Sequence, residues 1–402
     1  MTVNRLKNIS EYYFSKKLRE IEELNASGKQ VINLGIGSPD LAPHASVITA
    51  LHEAAAEPQN HAYQSYKGNI RLRKAAANWY QQHYNVNLNP DTEILPLLGS
   101  KEGIMHICMS VLNEGDLALI PNPGYPTYSA AANIAGAQIQ NFDLAESHGW
   151  LPDIRKLIAT VAEWRLLAGN QHRTIVMFIN YPNMPTGKTA SIKEFKTIVA
   201  FCRAHNVLLI HDNPYSFILN KKPLSILAVE GALDVCIELN SLSKSHNMAG
   251  WRVGFVFGNA ERINEVLRFK SNMDSGMFLP VQFAAAAALG LGADWFDELN
   301  EIYSQRKIAA QQLLDLLGCT YSTDQSGLFV WAKVPKGFKD AYAFTDSILI
   351  HASVFITPGG IFGTNGKDFV RVSLCSTVST FEQATKRIRE KLASIHAEEI
   401  QN

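Results

Sequence analysis

A lysine among serines and glycines is the first candidate for chemistry. Residues 241–254 read SLSKSHNMAGWRVG, with Lys244 between two apolar runs (VCIEL, 235–239, and VGFVFG, 253–258) and with Arg252 close behind. A lysine amine can form a Schiff base with an aldehyde. An arginine, serines such as Ser241 and a helix N-terminus can together hold a phosphate dianion. The run VLLIHD (207–212) ends in Asp212 and continues as NPYS, which carries Tyr215. In parallel sheets ligands bind outside the carboxyl ends of strands, so an acid there can hold a protonated ring nitrogen. Capping of the next turn explains Asp212 equally well.

Other strand ends carry similar residues. LLGSKEGI (97–104) puts Ser100 and Lys101 at the head of a helix, where free N–H groups favour anions; a capping box explains the same residues. PNPGYPTY (121–128) holds Tyr125 in a tight turn, as a packing residue or as a stacking surface. FINYPNMPTG (178–187) is a strand running into a proline-rich turn. Near the C-terminus VFITPGGIFG (354–363) precedes FVRVSL, with Arg371 inside the apolar strand. A buried arginine must meet an anion, as a ligand or as a structural salt bridge. LGIGSP lacks the full GxGxxG context, and GxxxxGK[ST], HExxH and GxSxG do not occur. The 12 histidines show no ligand spacing, so no metal is assigned.

The elements that must position these residues alternate. Strand candidates are ILPLL (94–98), LALI (117–120), AQIQNF (137–142), TIVMFIN (174–180), VLLIHD, VCIELN (235–240) and VGFVFG. Helical patterns such as KEGIMHICMSVLN and IKEFKTIVAFCRAHN lie between most of them. Short apolar strands separated by helices predict an α/β domain whose mainly parallel sheet is covered on both faces. Little chain separates the last strand from its predecessor, which suits an antiparallel pairing. The first 30 residues read as a helix (YYFSKKLREIEELNASG) that stops at Asn-Ala-Ser-Gly, then VINLGIGSPD as a short strand and turn. Residues 46–88 are helical around the polar loop EPQNHAYQSYKGN. After residue 280 come helices, two short strands (GLFVWAKV, FVRVSL) and a final helix, FEQATKRIREKLASIHAEEI. The expected division is an N-terminal segment (1–45) that packs with the small domain, a large domain (46–285) and a small α+β domain (286–402).

Composition narrows the partners. The chain has 402 residues, 47% hydrophobic, enough for a large core, with 37 basic residues against 37 acidic ones. No long basic run occurs, which argues against nucleic acid as the main partner. The five cysteines (Cys108, Cys202, Cys236, Cys319, Cys375) are scattered without CxxC spacing, as reduced core thiols are. No signal-peptide run and no membrane-length apolar stretch is present. The expectation is a soluble cytoplasmic protein, in which the sequons at Asn8 and Asn25 are chance matches.

Taken together, the lysine, acid, tyrosines, serines and arginines describe a pyridoxal 5′-phosphate (PLP) site. The sequence resembles the class I/II aminotransferases of PLP fold type I over essentially its whole length. The pieces occur in the family's order: GIGSPD, YQSYKG, GSKEG, PGYPTY, NYPNMPTG, DNPYS, SLSKSHNMAGWRVG, SGMFLPVQ and PGGIFG…RVSL. The resemblance implies a large domain with a mainly parallel seven-stranded sheet between helices, plus a smaller α+β domain from both chain ends. It implies that Lys244 bonds the cofactor, that Asp212 pairs with its ring nitrogen, and that Tyr215 meets the ring oxygen. Ser241, Arg252, Ser100 and Lys101 would bind the phosphate, and Tyr125 would stack on the ring. Tyr63, in YQSYKG, would reach the cofactor of a neighbouring subunit in a homodimer. Arg371 would clamp the substrate carboxylate with help from the Gly37 backbone. Where the family has an asparagine before Pro-Thr-Gly, this chain has Met184, and Asn183 or Asn180 would substitute.

The implied activity is transfer of an amino group from an L-amino acid to a 2-oxo acid by a ping-pong route. A fold type I lyase (a C–S lyase or a decarboxylase) shares the same lysine, acid and arginine. A PLP-binding regulator usually carries an added DNA-binding domain, for which no room precedes GIGSPD. A dinucleotide-binding oxidoreductase lacks its fingerprint here.

Overall fold

The computed structural model describes residues 11, 13–167 and 169–397. The Asn8 sequon, Tyr12 of the N-terminal helix reading and residues 398–400 of the C-terminal one lie outside the described residues. Helix α1 (Tyr13–Ala26) leads to a two-residue strand, β1 (Ile32–Asn33), and then to α2 (Ala45–Ala56) and α3 (Ile70–Tyr84). The alternating region follows: β2 (Ile94–Leu97), α4 (Ser100–Val111), β3 (Leu117–Asn122), α5 (Pro126–Ile134), β4 (Gln138–Asp143), α6 (Ile154–Leu166), β5 (Ile175–Ile179), α7 (Ile192–Ala204) and β6 (Leu208–Asp212). Then come β7 (Cys236–Ser241), the one-turn α8 (Leu242–Ser245), β8 (Gly254–Phe257), α9 (Ala260–Lys270), α10 (Leu279–Ala288) and α11 (Ala293–Leu316). The chain finishes with β9 (Thr320–Tyr321), β10 (Phe329–Lys333), α12 (Ala341–Ala352), β11 (Val354–Phe355), β12 (Thr357–Pro358), β13 (Phe369–Ser373) and α13 (Val378–Ala397).

Seven strands form one sheet in the order β2-β8-β7-β6-β5-β3-β4. The pairings are parallel except those of β8, which runs antiparallel to both β7 and β2. The seven strands and the antiparallel last one agree with the sequence reading. Alternate residues feed two cores. Leu119, Met177, Leu209 and Phe255 face the side covered by α3 and α7. Ile120, Phe178, Ile210 and Leu239 face the side covered by α4, α5 and α9. That period of two with both faces apolar is what a doubly covered sheet requires. The edge strand β4 is mostly exposed (QIQNFD), and such polar edges discourage further pairing.

A third core lies apart from the sheet. The antiparallel sheet β12-β13-β10-β9 packs with α11, α12 and α13, and Phe14 and Ile21 of α1 join it. Strand β1 pairs in parallel with β11, with Ile32 opposite Val354, so the two ends of the chain meet. Helix α12 and the two-residue strands β9, β11 and β12 were not assigned from the sequence. Helix α12 (AYAFTDSILIHA) is buried on several sides, which erases the amphipathic period. Two-residue strands are shorter than any alternation can reveal. Among the described residues no single helix is long and apolar enough to cross a membrane.

Candidate active site

The carboxyl ends of β5, β6 and β7 open onto one edge of the large sheet. Because β8 is antiparallel, its beginning arrives at that same edge and brings Arg252 with it. A cavity of about 370 Å³ sits there. Of the residues expected from the sequence, Lys244, Asp212, Tyr215, Ser241, Arg252, Ser100, Lys101, Tyr125, Gly37 and Arg371 line it.

Lys244 lies in α8, whose N-cap is Ser241, with the hydroxyl accepting from the Ser243 N–H at 3.1 Å. The Lys244 Nζ donates to the Gly37 carbonyl at 2.6 Å. The side chain keeps one face open to the cavity while the amine sits deep. Burial pushes its pKa below the ordinary lysine value; Arg371 and Arg252 push the same way, and Cys375 opposes them.

Asp212 ends β6 and is buried. The Tyr128 hydroxyl donates to its Oδ2 at 2.8 Å. Its other oxygen, Oδ1, is buried without a hydrogen-bond partner among the described residues. Desolvation raises its pKa to about 6, against the pull of Tyr128 and of His211. A buried acceptor without a partner, on a residue that lines the cavity, fits a protonated ring nitrogen. Tyr128 was not singled out from the sequence, although it stands one helical turn from Tyr125 and meets it edge-on at 5.6 Å.

The opposite end of the cavity suits an anion. Helix α4 begins at Ser100 after Gly99, and no side chain caps it, so its first N–H groups remain for a ligand. The alternative reading, a capping box, is absent; Glu102 instead accepts from the Leu98 N–H at 2.6 Å. Gly99 has φ +95°, and a Cβ there would collide with the Arg252 guanidinium. A Cβ on Gly254 would lie 2.6 Å from the Ser100 nitrogen. Both glycines therefore let β8, Arg252 and the start of α4 close together. Arg252 itself holds a left-handed φ of 56° and donates from Nη1 to the Ala249 carbonyl at 2.7 Å. Left-handed backbone at a long side chain is uncommon and clusters at functional sites.

Arg371 comes from β13 of the third core. Its Nη2 donates to the Gly35 carbonyl at 2.8 Å, and its Nη1 lies 3.2 Å from the Met184 sulfur. The rings of Phe329, Phe362 and Phe14 stand 3.9, 4.7 and 5.5 Å from its guanidinium carbon. Tyr215 packs edge-on against Phe329 at 5.9 Å, and burial pushes its phenol pKa up, partly offset by Arg371. The aromatic surround was not legible in the sequence because Phe14 and Phe329 come from opposite ends of the chain.

Two expected residues lie elsewhere. Asn183 spends its amide inside its own turn, accepting from the Thr186 hydroxyl at 2.8 Å and donating to the Asn180 carbonyl at 3.2 Å, and it does not line the cavity. Asn180 and Met184 do. Asn180 donates to the Asp212 carbonyl at 2.5 Å and accepts from the Met184 N–H at 2.6 Å. Tyr63 is 91% exposed in a surface loop and is not part of this cavity. Outside the cavity, Glu102, His106 and Asp274 come within ligating distance of one another, but the Lys270 ammonium already sits 2.8 Å from the Asp274 carboxylate.

Known proteins resemble this chain over most of its length. The family model for aminotransferase class I and II matches residues 29–388. An LL-diaminopimelate aminotransferase of Nitratidesulfovibrio vulgaris is 39% identical, over 96% of this chain and 97% of that one. A protein of the same name from Dehalococcoides mccartyi is 40% identical, over 92% and 93%. The substrate-bound BacF structure from Bacillus subtilis superposes with a TM-score of 0.90 at 36% identity, covering 97% of each chain. A Thermus thermophilus aspartate aminotransferase variant, 20% identical over 97% of this chain and 99% of its own, shares the fold with a TM-score of 0.88. Matched by the family model over most of its length and 39% identical to a named aminotransferase, the chain belongs to the class I and II aminotransferases, PLP-dependent transaminases of fold type I.

Proposed function

We propose that this cavity is where the chain performs its transamination, with Lys244 as the residue that bonds the cofactor and moves the substrate proton. The carrying observation is that Lys244 and Asp212, whose Oδ1 has no hydrogen-bond partner among the described residues, line one cavity. When bound, PLP supplies an aldehyde that takes up the amino group and a ring that accepts the electron pair from Cα. Asp212 holds the proton of the ring nitrogen at Oδ1. Ser100 and Lys101, through their backbone N–H groups, Ser241 through its hydroxyl and Arg252 hold the phosphate. Tyr125 stacks on the ring, and Tyr215, kept protonated by burial, donates at the ring oxygen. Asn180, which lines the cavity, would take that contact rather than Asn183, which does not line it.

Arg371 binds the substrate α-carboxylate, assisted by the backbone of Gly37, which lines the same cavity. Lys244, with its lowered pKa, is a neutral amine for a larger share of the time than an exposed lysine. It can then accept the Cα proton and return it on the other side of the shift. Hydrolysis releases a 2-oxo acid, and a second 2-oxo acid runs the sequence backwards.

The assembly and location belong to the same proposal. Tyr63, exposed on its loop, is suited to reach the phosphate site of a second subunit in a homodimer, and the chain works in the cytoplasm. We also propose the division into residues 1–45, 46–285 and 286–402. What supports it is a third core that joins Phe14, Ile21 and Leu34 to the C-terminal elements, although Ala288, Leu289 and Phe296 beyond residue 285 still pack with the large sheet.

Lys244→Ala tests the reading. The variant should lose the visible absorbance of the lysine-bound cofactor and all transamination. Turnover near the wild-type rate would refute the role of Lys244. Measuring 2-oxo acid with and without an amino acceptor checks the chemistry, since a lyase forms it without one.

A further inference from the structure

Tyr125 stands where the large sheet meets the third core, and it packs against both that core and the sheet-face core under α4 and α5. Two short segments come together there: residues 122–125, which leave β3, and residues 362–365, which follow β12. The Gly124 N–H donates to the Phe362 carbonyl at 2.8 Å. Phe362 is buried in the third core, with its ring 4.7 Å from the Arg371 guanidinium carbon. One hydrogen bond therefore joins the residue before Tyr125 to a residue packed on Arg371.

Asn122 closes the same junction. It is buried at the end of β3 and uses both side-chain donors and its acceptor. Its Nδ2 donates to the Thr364 hydroxyl at 2.8 Å and to Asp143 Oδ1, at the end of β4, at 3.0 Å. Its Oδ1 accepts from the Asn365 N–H at 3.2 Å. The Asn365 Nδ2 donates in turn to the Asn122 carbonyl at 3.2 Å and to the same Asp143 oxygen at 3.0 Å. Gly363 has φ +134°, and a Cβ there would run into Asn122 Oδ1, so a glycine is what lets the two segments close. A buried polar group with its partners in place rigidifies what it joins. Here it joins segments 242 positions apart in sequence. Neither Asn122 nor Phe362 lines the cavity, so Asn122 acts through the residues it holds.

We propose that Asn122 is a positioning residue of this transaminase. With Thr364 and Asn365 it fixes the Tyr125 turn to the Phe362–Arg371 pair, so that one joint sets both the stacking of the cofactor and the binding of the α-carboxylate. The inference rests on the readings of Tyr125 as the stacking residue and of Arg371 as the carboxylate clamp.

Asn122→Ala tests it through two measurements on folded, PLP-saturated protein. The visible circular dichroism of the bound cofactor reports how Tyr125 lies on the ring. The rate of oxime formation with amino-oxyacetate, divided by that with O-methylhydroxylamine, isolates the contribution of a carboxylate at Arg371. Loss of stability alone moves neither. In Asn122→Ala the dichroism should shift toward that of Tyr125→Ala, and the rate ratio should fall about tenfold, toward that of Arg371→Lys. Wild-type values of both overturn the proposal. A change in only one also overturns it, because Asn122 then supports one segment without joining the two. If Tyr125→Ala leaves the dichroism unchanged, or Arg371→Lys leaves the ratio unchanged, the reading beneath the proposal falls and the proposal with it. Should Asn122→Ala fail to fold, Thr364→Val and Asn365→Ala break the joint from its other side. The same paired change is then expected, at about threefold in the ratio, and wild-type values overturn the proposal.

Discussion

Two buried carboxylates lie on neighbouring strands of the large sheet, and they are treated in opposite ways. Glu238, on β7, accepts from the Tyr80 hydroxyl at 2.6 Å, the Ser225 hydroxyl at 2.8 Å and the Ile226 N–H at 3.0 Å. The His211 Nδ1 lies 2.7 Å from Oε2, the oxygen that also accepts from Ile226. Asp212, one residue along β6 from His211, has one donor, Tyr128, and an oxygen with no partner among the described residues. Burial of a carboxylate is costly unless hydrogen bonds replace its water. Glu238 is completed by the fold and serves it. Asp212 is left incomplete by the fold, and on the proposed reading the deficit is met when the cofactor brings an N–H.

The contrast is broken most sharply at Asp212. Asp212→Asn removes the charge that holds the ring nitrogen protonated, so kcat/KM should fall by roughly 1000-fold, measured under saturating cofactor. If activity survives within tenfold, the incomplete acid is not the ring partner. Glu238→Gln should do the reverse. It should cost roughly 2–4 kcal/mol of stability in denaturant unfolding, because four donors lose an anionic acceptor. Cofactor affinity in the folded variant should stay within about tenfold. A large loss of affinity with unchanged stability would erase the distinction between the two acids.

The smallest effect sharpens the comparison through pH. Tyr128→Phe removes the one hydrogen bond that lowers the Asp212 pKa, so that pKa should rise above about 6. A carboxyl whose folded pKa is raised binds protons more readily when folded. Its destabilising contribution is absent below the ordinary value of 3.8 and grows as pH rises to the folded value. In the cofactor-free variant the decline in stability should therefore continue to higher pH than in wild type, with about 1 kcal/mol extra loss at neutral pH. Coincident pH profiles would show that Tyr128 does not hold Asp212.

These two acids also mark what the sequence could show. Asp212 was legible because it ends an apolar strand and opens a polar turn, and Lys244, Ser241 and Ser100 stand at similar boundaries. The large sheet was legible for the same reason, since its strands are short apolar runs between helical patterns. Glu238 stands inside such a run, and nothing local says that Tyr80 and Ser225 will meet it. The Tyr128 bond, the aromatic surround of Arg371 and the short strands of the third core depend on chain segments far apart in sequence. The preference of the cavity for Asn180 over Asn183 depends on hydrogen bonds within one turn, which spacing does not reveal.

The central claim is that Asp212 is strained by burial in the free protein and relieved by the cofactor. Thermal unfolding of wild type and Asp212→Asn at pH 7.5, each with and without saturating PLP, tests it directly. Without cofactor the variant should be more stable by roughly 1–3 kcal/mol, because the raised pKa of Asp212 is a cost at that pH. With cofactor it should gain much less than wild type. A variant destabilised alike with and without the cofactor would contradict the account.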